Sequence, residues 1–171
     1  MALLEKSNPR PLYEQIDAVH QAIHLRGMYT VSKTFLAVAS DGYADIHLII
    51  PADYEAHTRI TVASEGKAYI KTYIGTTYTV PGTGITPYNR ATGGDITTVT
   101  ALHTTTPNVL GTLRADDLIV GGSGGNAVGG GINPEFESIV APASDWLIRV
   151  QNKGGAVKDI NITINYYLRR V

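Results

Sequence analysis

Most of this chain alternates between apolar and polar side chains, one residue at a time, and this alternation restricts what it can fold into. Over residues 160–169, isoleucine, tyrosine and leucine occupy the even positions, and asparagine, threonine, tyrosine and arginine occupy the odd ones. Residues 44–50 and 68–74 follow a similar pattern. Successive side chains of a strand point to opposite faces, so each segment has one apolar and one polar face. The sequence therefore predicts an all-β fold.

The alternating segments are short and are separated by turn residues, which is typical of a β-sandwich or a jelly roll. The predicted strands cover residues 29–38, 44–50, 58–63, 68–74, 96–104, 109–113, 136–140, 146–151 and 159–169. A chain of 171 residues is long enough for one domain with its own core. We therefore predict a jelly-roll-like β-sandwich over residues 28–171, with long loops at residues 76–95 and 121–134.

The first 27 residues have a different pattern. Prolines at positions 9 and 11 predict an extended arm, because the residue before a proline avoids the helical region. An amphipathic helix is predicted over residues 12–26, between Pro11 and Gly27. Its apolar face is formed by four residues at helical spacing: Leu12, Ile16, Val19 and Ile23. The helix either packs on its own domain or docks on a partner or on another copy of the chain.

Composition excludes several classes of function. The net charge is −1 and only 17% of the residues are charged, so no basic patch is present to attract nucleic acid. The chain has no cysteine, which excludes disulfides and thiolate chemistry and is expected of a protein made in a reducing cytoplasm. Residues 1–11 lack the apolar core of a signal peptide, and no segment is long and apolar enough to span a membrane.

No motif in the sequence indicates catalysis or a cofactor. The glycine-rich run at 121–131 lacks the lysine and the following helix that a phosphate-binding loop needs. His20 and His24 have metal-ligand spacing, but Gln21 stands where a zinc protease has glutamate, so we interpret the pair as surface residues. The carboxylates are scattered, and His47, His57 and His103 have no obvious partner. We therefore expect a protein that is not an enzyme and that binds no metal or cofactor.

Several tyrosines are expected on outer sheet faces, where aromatic rings suit protein interfaces or stacking on sugars. Cross-strand pairing within a sheet is the alternative explanation for about half of them. These residues are Tyr43, Tyr69, Tyr73, Tyr78, Tyr88 and Tyr167.

Three segments, at residues 85–90, 96–113 and 145–167, together resemble small virion proteins encoded among the head genes of tailed bacteriophages. The first reads Ile-Thr-Pro-Tyr-Asn-Arg, the second is threonine-rich and ends in Leu-Gly-Thr-Leu, and the third begins Asp-Trp-Leu-Ile-Arg-Val-Gln-Asn-Lys-Gly-Gly. The proteins that they resemble are capsid decoration (cement) or minor head proteins. The resemblance covers residues 69–167 and leaves the N-terminal helix outside it.

This resemblance implies a homotrimeric jelly roll on the outer surface of the phage head, with the major capsid protein as partner and with no nucleic-acid or membrane contact. Each copy would bridge neighbouring capsid subunits and so stabilise the shell. The residues that we expect at the interface with the capsid or with another copy are Arg10, Leu12, Tyr13, Ile16, Val19, His20, Ile23, Tyr88, Asn89 and Arg90. The alternative is a receptor- or carbohydrate-binding module of a phage fibre or tail, which the outward tyrosines and the long loops would serve. A hydrolase on a β-sandwich would need acids clustered in a cleft.

Overall fold

Antiparallel strands form the regular structure of the protein, as the alternation predicts. The computed structural model describes residues 27–91, 93, 97–120, 128–130 and 138–171, with the backbone alone described for 128–130. Within these residues the regular structure is all β, without a helix. The helix predicted over residues 12–26 and the arm before it lie outside the described residues and stay predictions. The strands are β1 (Met28–Val38), β2 (Tyr43–Ile49), β3 (Tyr54–Ser64), β4 (Ala68–Ile74), β5 (Thr77–Val80), β6 (Thr83–Ile85), β7 (Tyr88–Asn89), β8 (Thr100–His103), β9 (Thr106–Val109), β10 (Thr112–Ile119), β11 (Val128–Gly130), β12 (Ser138–Val140), β13 (Asp145–Asn152) and β14 (Lys158–Arg170).

The strands form two large sheets and one small ribbon. The front sheet has the order β11-β3-β14-β1-β7, with β12 also paired to β3. The back sheet has the order β10-β4-β13-β2-β8-β6, and β5 and β9 form a separate two-stranded ribbon. From β1 to β4 the chain changes sheet at every step, and from β10 to β14 it passes through back, front, back and front again. Sequence neighbours among the long strands of the two large sheets therefore lie in opposite sheets, except where the β5–β9 segment intervenes between β4 and β10.

The apolar faces of the two sheets meet in one core. On β14, Ile160, Ile162 and Ile164 are completely buried, and on β13 Ile148 and Val150 are completely buried. Residues of both sheets belong to a single hydrophobic cluster, so the sheets pack face to face in a β-sandwich. Burial of each such aliphatic side chain contributes about 1.5–3 kcal/mol relative to exposure.

The predicted strand at 68–74 coincides with β4, and those at 29–38, 44–50, 58–63, 146–151 and 159–169 agree except at their ends. The strand predicted over 96–104 is much shorter in the structure, where β8 covers Thr100–His103. The strand predicted over 109–113 is wrong, because Val109 ends β9 and Thr112 begins β10. Gly111 separates them with a φ of 78°, in the left-handed region. A Cβ atom there would lie 2.2 Å from the carbonyl oxygen of Ile74, so the turn requires glycine.

The long loop predicted over residues 76–95 is also wrong, since this segment contains β5, β6 and β7. β7 pairs with the edge of β1, β6 pairs with β8, and β8 extends the back sheet beyond β2. The segment between β4 and β10 thus covers the edges of both sheets on one side of the sandwich. The original edge of β2 is thereby covered by β8, whereas β7 covers only Tyr29 and Thr30 of β1, and the short strands β6 and β7 become the outermost ones. In the loop predicted over 121–134, residues 128–130 form β11 on the edge of β3.

A buried asparagine joins two turns at one end of the sandwich. The side-chain Nδ2 of Asn152 donates to the carbonyl oxygens of Val38 at 2.8 Å, Ala39 at 3.1 Å and Ala156 at 2.7 Å. Its Oδ1 accepts from the backbone N–H of Gly154 at 2.9 Å. Asn152 is completely buried, so its amide supplies hydrogen bonds to these carbonyl oxygens where water cannot, although that of Ala39 also accepts from the backbone N–H of Gly42 at 2.9 Å.

We predict that Asn152→Asp lowers the free energy of unfolding by about 3 kcal/mol, because a carboxylate would face three carbonyl oxygens without a proton to donate. Chemical denaturation followed by tryptophan fluorescence measures this loss. The matched control is Asn161→Asp on the exposed outer face, where Nδ2 donates only to Thr34 Oγ1 and we expect a change of about 0.5 kcal/mol. Equal losses for the two variants would contradict the role assigned to Asn152.

Candidate interaction surface

Three of the residues predicted at an interface lie in the described part of the chain, side by side on the edge of the front sheet. Tyr88 and Asn89 form β7, and Arg90 follows them directly. The other predicted interface residues lie outside the described residues: Arg10, Leu12, Tyr13, Ile16, Val19, His20 and Ile23. The structure thus places Tyr88, Asn89 and Arg90 together and leaves the predicted helical contacts as predictions.

Backbone pairing fixes the position of this edge. Tyr88 pairs with Thr30 of β1, and the backbone N–H of Arg90 donates to the Met28 carbonyl oxygen at 2.9 Å. Asn89 Oδ1 accepts from the backbone N–H two residues ahead, at 2.8 Å, which is a local turn typical of asparagine. The side chain of Tyr88 is 57% exposed. The edge therefore presents an aromatic ring and a guanidinium group from a fixed strand.

The outer face of the front sheet is a ladder of short polar side chains beside this edge. Three cross-strand hydrogen bonds join β1 to β14: Thr30 Oγ1 to Asn165 Oδ1 at 2.7 Å, Ser32 Oγ with Thr163 Oγ1 at 2.8 Å, and Asn161 Nδ2 to Thr34 Oγ1 at 3.0 Å. Paired hydroxyl and amide groups of this kind lose little rotamer freedom on contact with a partner. The ladder is therefore a flat and preorganised polar surface.

A shallow depression of about 350 Å³ lies where the ladder meets β7. Arg90 Nη1 donates to Asn165 Oδ1 at 3.2 Å, the same oxygen to which Thr30 donates. Asn165 is thus the residue that joins the predicted edge to the ladder. The lining residues are Thr30, Tyr88, Asn89, Arg90, Thr163 and Asn165.

The end of the front sheet next to the depression is aromatic. The rings of His57 and Tyr167 stack with centroids 4.6 Å apart, and His57 Nε2 lies 3.1 Å from Glu55 Oε1. Glu55 also lies 3.4 Å from Arg169 Nη1. Ile139 of β12 pairs with His57 and is 62% exposed. This end offers apolar contact area beside the polar ladder.

The outer face of the back sheet is built on a buried ion pair. Arg149 donates to both carboxylate oxygens of Asp45, at 3.0 and 2.7 Å, and its guanidinium lies 4.5 Å from the ring centroid of Tyr43. Burial raises the pKa of Asp45, and the hydrogen bonds and charge of Arg149 offset only part of that rise. The Asp45 carboxylate therefore depends on Arg149 to stay ionised inside the protein.

Asp145 fastens the β5–β9 ribbon to the same face. Its carboxylate accepts from the backbone N–H groups of Gly75 at 2.6 Å and Thr76 at 2.9 Å, and lies 2.7 Å from His47 Nε2. His47 is 1% exposed and packs edge-on against the ring of Tyr78, centroid to centroid 4.9 Å. Burial, with the charge of Asp145, raises the pKa of Tyr78.

The expectation that His47 has no partner is wrong, since its Nε2 lies 2.7 Å from Asp145 Oδ2; the pair is hidden in the sequence because the two residues are 98 positions apart. His57 was also expected to have no obvious partner, and this is wrong as well, since its Nε2 lies 3.1 Å from Glu55 Oε1. The role of Asn165 was also missed, because its partner Arg90 is 75 positions away. Only the alternation could have indicated that Asn165 faces outward.

Several charged groups on and beside the back sheet form separate ion pairs rather than a cluster. Lys71 lies 3.2 Å from Asp116, and Lys153 contacts Asp41. Within the part of the chain that the structure describes, no group of three or more histidine or acidic side chains could hold a metal ion. No helix among the described residues is long and apolar enough to cross a membrane. The described surfaces can contact a binding partner through aromatic, amide, hydroxyl and guanidinium groups.

We predict that Arg149→Met lowers the free energy of unfolding by about 3 kcal/mol at neutral pH, because it leaves the buried Asp45 carboxylate unpaired. Without Arg149 the pKa of Asp45 rises further above 3.8 in the folded state than in the native protein. The folded variant is favoured when Asp45 is protonated. Its free energy of unfolding is therefore largest at low pH and falls as the pH rises.

The loss caused by Arg149→Met should therefore shrink as the pH falls from neutral towards 3.8. Urea denaturation at a series of pH values measures it. The double variant Asp45→Leu/Arg149→Met serves as the control and should be nearly as stable as the native protein at neutral pH. A loss that does not change with pH would contradict this account of the ion pair.

Comparison of the chain with protein-family models, with curated proteins and with solved structures finds no match in any of the three. The function is therefore argued from the surfaces of the molecule itself.

Proposed function

We propose that this chain is a structural, non-enzymatic virion protein that binds the outer surface of a phage capsid and stabilises the shell by bridging neighbouring subunits. The observation that carries the proposal is the order of the strands. In the front sheet, β12 or β11 is followed by β3, β14 and β1, and in the back sheet the order is β10-β4-β13-β2. These orders are the ones expected of the two four-stranded sheets of a jelly roll. Double-sheet jelly rolls occur in viral capsid domains and in lectins.

The outer face of the front sheet supports the capsid partner. It combines a hydrogen-bonded polar ladder, a depression with Arg90 and Tyr88 at its rim, and an apolar end at Ile139. Arginine and aromatic residues are enriched at protein interfaces, and a preorganised surface loses little entropy on binding. Such a face is suited to contact with another folded protein.

Bridging follows if the protein is a homotrimer, as the resemblance of its sequence implies. Each copy then contributes one moderate contact to the shell, and the second and third contacts form within an assembly that is already bound. Linked contacts of this kind strengthen binding by about a hundredfold or more over a single one. In this proposal the protein is made in the host cytoplasm, joins the outside of the head and contacts neither nucleic acid nor membrane. The residues predicted on the arm and helix, from Arg10 to Ile23, add to the contact with the capsid or with another copy.

The proposal is tested with heads from a phage that lacks the gene for this chain. We expect the purified protein to cosediment with these heads saturably and to raise the temperature at which they release DNA. Tyr88→Ala and Arg90→Ala should weaken binding, whereas Tyr69→Ala on the back sheet should not. A protein that neither binds heads nor occurs in purified virions would refute the proposal.

One observation favours a second candidate, the binding of a glycan by the back sheet. Tyr43 is 52% exposed, and a small hollow of about 90 Å³ beside it is lined by the rings of Tyr69 and Tyr73 and by Gln151. Tyrosine rings next to amide groups suit stacking on a sugar. A glycan array separates the two functions: a cement protein shows no sugar preference, whereas a receptor-binding module binds a defined glycan and loses it with Tyr43→Ala.

A further inference from the structure

Two arginines on the outer face of the front sheet have no carboxylate partner among the residues that the structure describes. Arg59 of β3 lies directly opposite Asn165 of β14, and Arg90 donates to the same Asn165 from the other side. Among the described residues, no carboxylate lies within ion-pair distance of either guanidinium. Glu55, an acidic neighbour on β3, is already in contact with His57 and Arg169.

Asn165, the residue between these two arginines, keeps a donor group that no described acceptor uses. Asn165 Oδ1 already accepts hydrogen bonds from Thr30 and from Arg90, and these bonds fix the orientation of the amide. Its Nδ2 can still donate a hydrogen bond. The Nε of Arg59 is buried and has no hydrogen-bond partner in the described part of the chain. A buried N–H group without an acceptor is costly, and native proteins rarely retain one without a reason.

We propose that the surface around Asn165, with the depression on its Arg90 side and Arg59 on the neighbouring strand, binds the carboxylate of an acidic side chain on a protein partner. A carboxylate has two acceptor oxygens and no proton, so it complements a guanidinium fork and an amide N–H. The identification of that partner as the capsid rests on the proposed function.

A protein partner fits better than a free acid because of what surrounds the depression. Tyr88 and Ile139 are 57% and 62% exposed on the same face, one beside the depression and the other at the sheet end, and they offer contact area that a small anion would leave uncovered. The polar ladder extends along the rest of the face and would meet polar groups around the acidic residue. An arginine pair flanked by aromatic and apolar side chains is a common composition of an interface centre.

The test is a titration of the ¹⁵N-labelled full-length chain with a polyglutamate peptide at low salt, with polyglutamine as the neutral probe. We expect saturable shifts of the Asn165 side-chain amide and of the Nε–H signals of Arg59 and Arg90, and no such shifts with polyglutamine. Arg59→Gln and Arg90→Gln should each weaken binding about tenfold. Arg90→Lys keeps the charge without the fork and should give an intermediate loss.

Lys67→Gln is the matched control, since it removes one positive charge beside β4, where Lys67 lies over the ring of Tyr69. A loss with Lys67→Gln equal to that with Arg90→Gln would mean unspecific attraction and would overturn the site. Tighter binding of polyglucuronate than of polyglutamate would assign the depression to an acidic glycan and overturn the protein partner. Thermal melts of each variant show whether it is folded. If a glutamine variant is unfolded, the binding of polyglutamate by Arg90→Lys decides whether the guanidinium group contributes to the site.

This test can fail independently of the proposed function. If polyglutamate binds as described but heads do not bind the protein, the site stands and the capsid is the wrong partner. If heads bind the Arg59→Gln/Arg90→Gln variant as well as the native protein, and polyglutamate causes no shifts, the site is wrong and the capsid proposal stands.

Discussion

The rest of the structure depends on the packing of the two sheets through one core, to which β13 and β14 both contribute. Each is an inner strand of its sheet, and each presents completely buried aliphatic side chains to that core. Because strand side chains alternate, fixing these side chains inside also fixes which residues face outward on both strands. A shift of one residue in either strand would place asparagine or arginine in the core. The outer surfaces are therefore set by the same constraint that forms the core.

The polar side chains on the outer faces of the two sheets are paired in different ways. The front sheet uses short hydroxyl and amide side chains that bond across strands, with two arginines that no described carboxylate neutralises. The back sheet uses charge pairs, the most buried of which joins Asp45 to Arg149. One face is thus left with unmatched donors, whereas the charges of the other are largely satisfied internally. This asymmetry is why we assign the protein contact to the front sheet.

Alternation predicted β4 and β14 well, because both carry the pattern in sequence, but it missed most of β10 beyond Leu113. It failed between β4 and β10, where strands of two to four residues are too short to show a period and are held by distant partners. Tyr88, Asn89 and Arg90 were identified from a resemblance, but their link to Asn165 depends on an antiparallel register that no local pattern reveals. The pairing of His47 with Asp145 was hidden for the same reason. The contacts predicted for the arm and helix remain predictions.

Native-state hydrogen exchange measured by mass spectrometry tests most directly whether β13 and β14 hold the fold together. The account predicts that amides in the middle of these two strands exchange slowest, at the rate of global unfolding. It also predicts that β6, β7 and β8, which extend the sheets at one side, exchange earlier through local opening. Exchange of β13 or β14 amides as fast as those of β7 would contradict the account, because the sandwich would then not depend on the core between them.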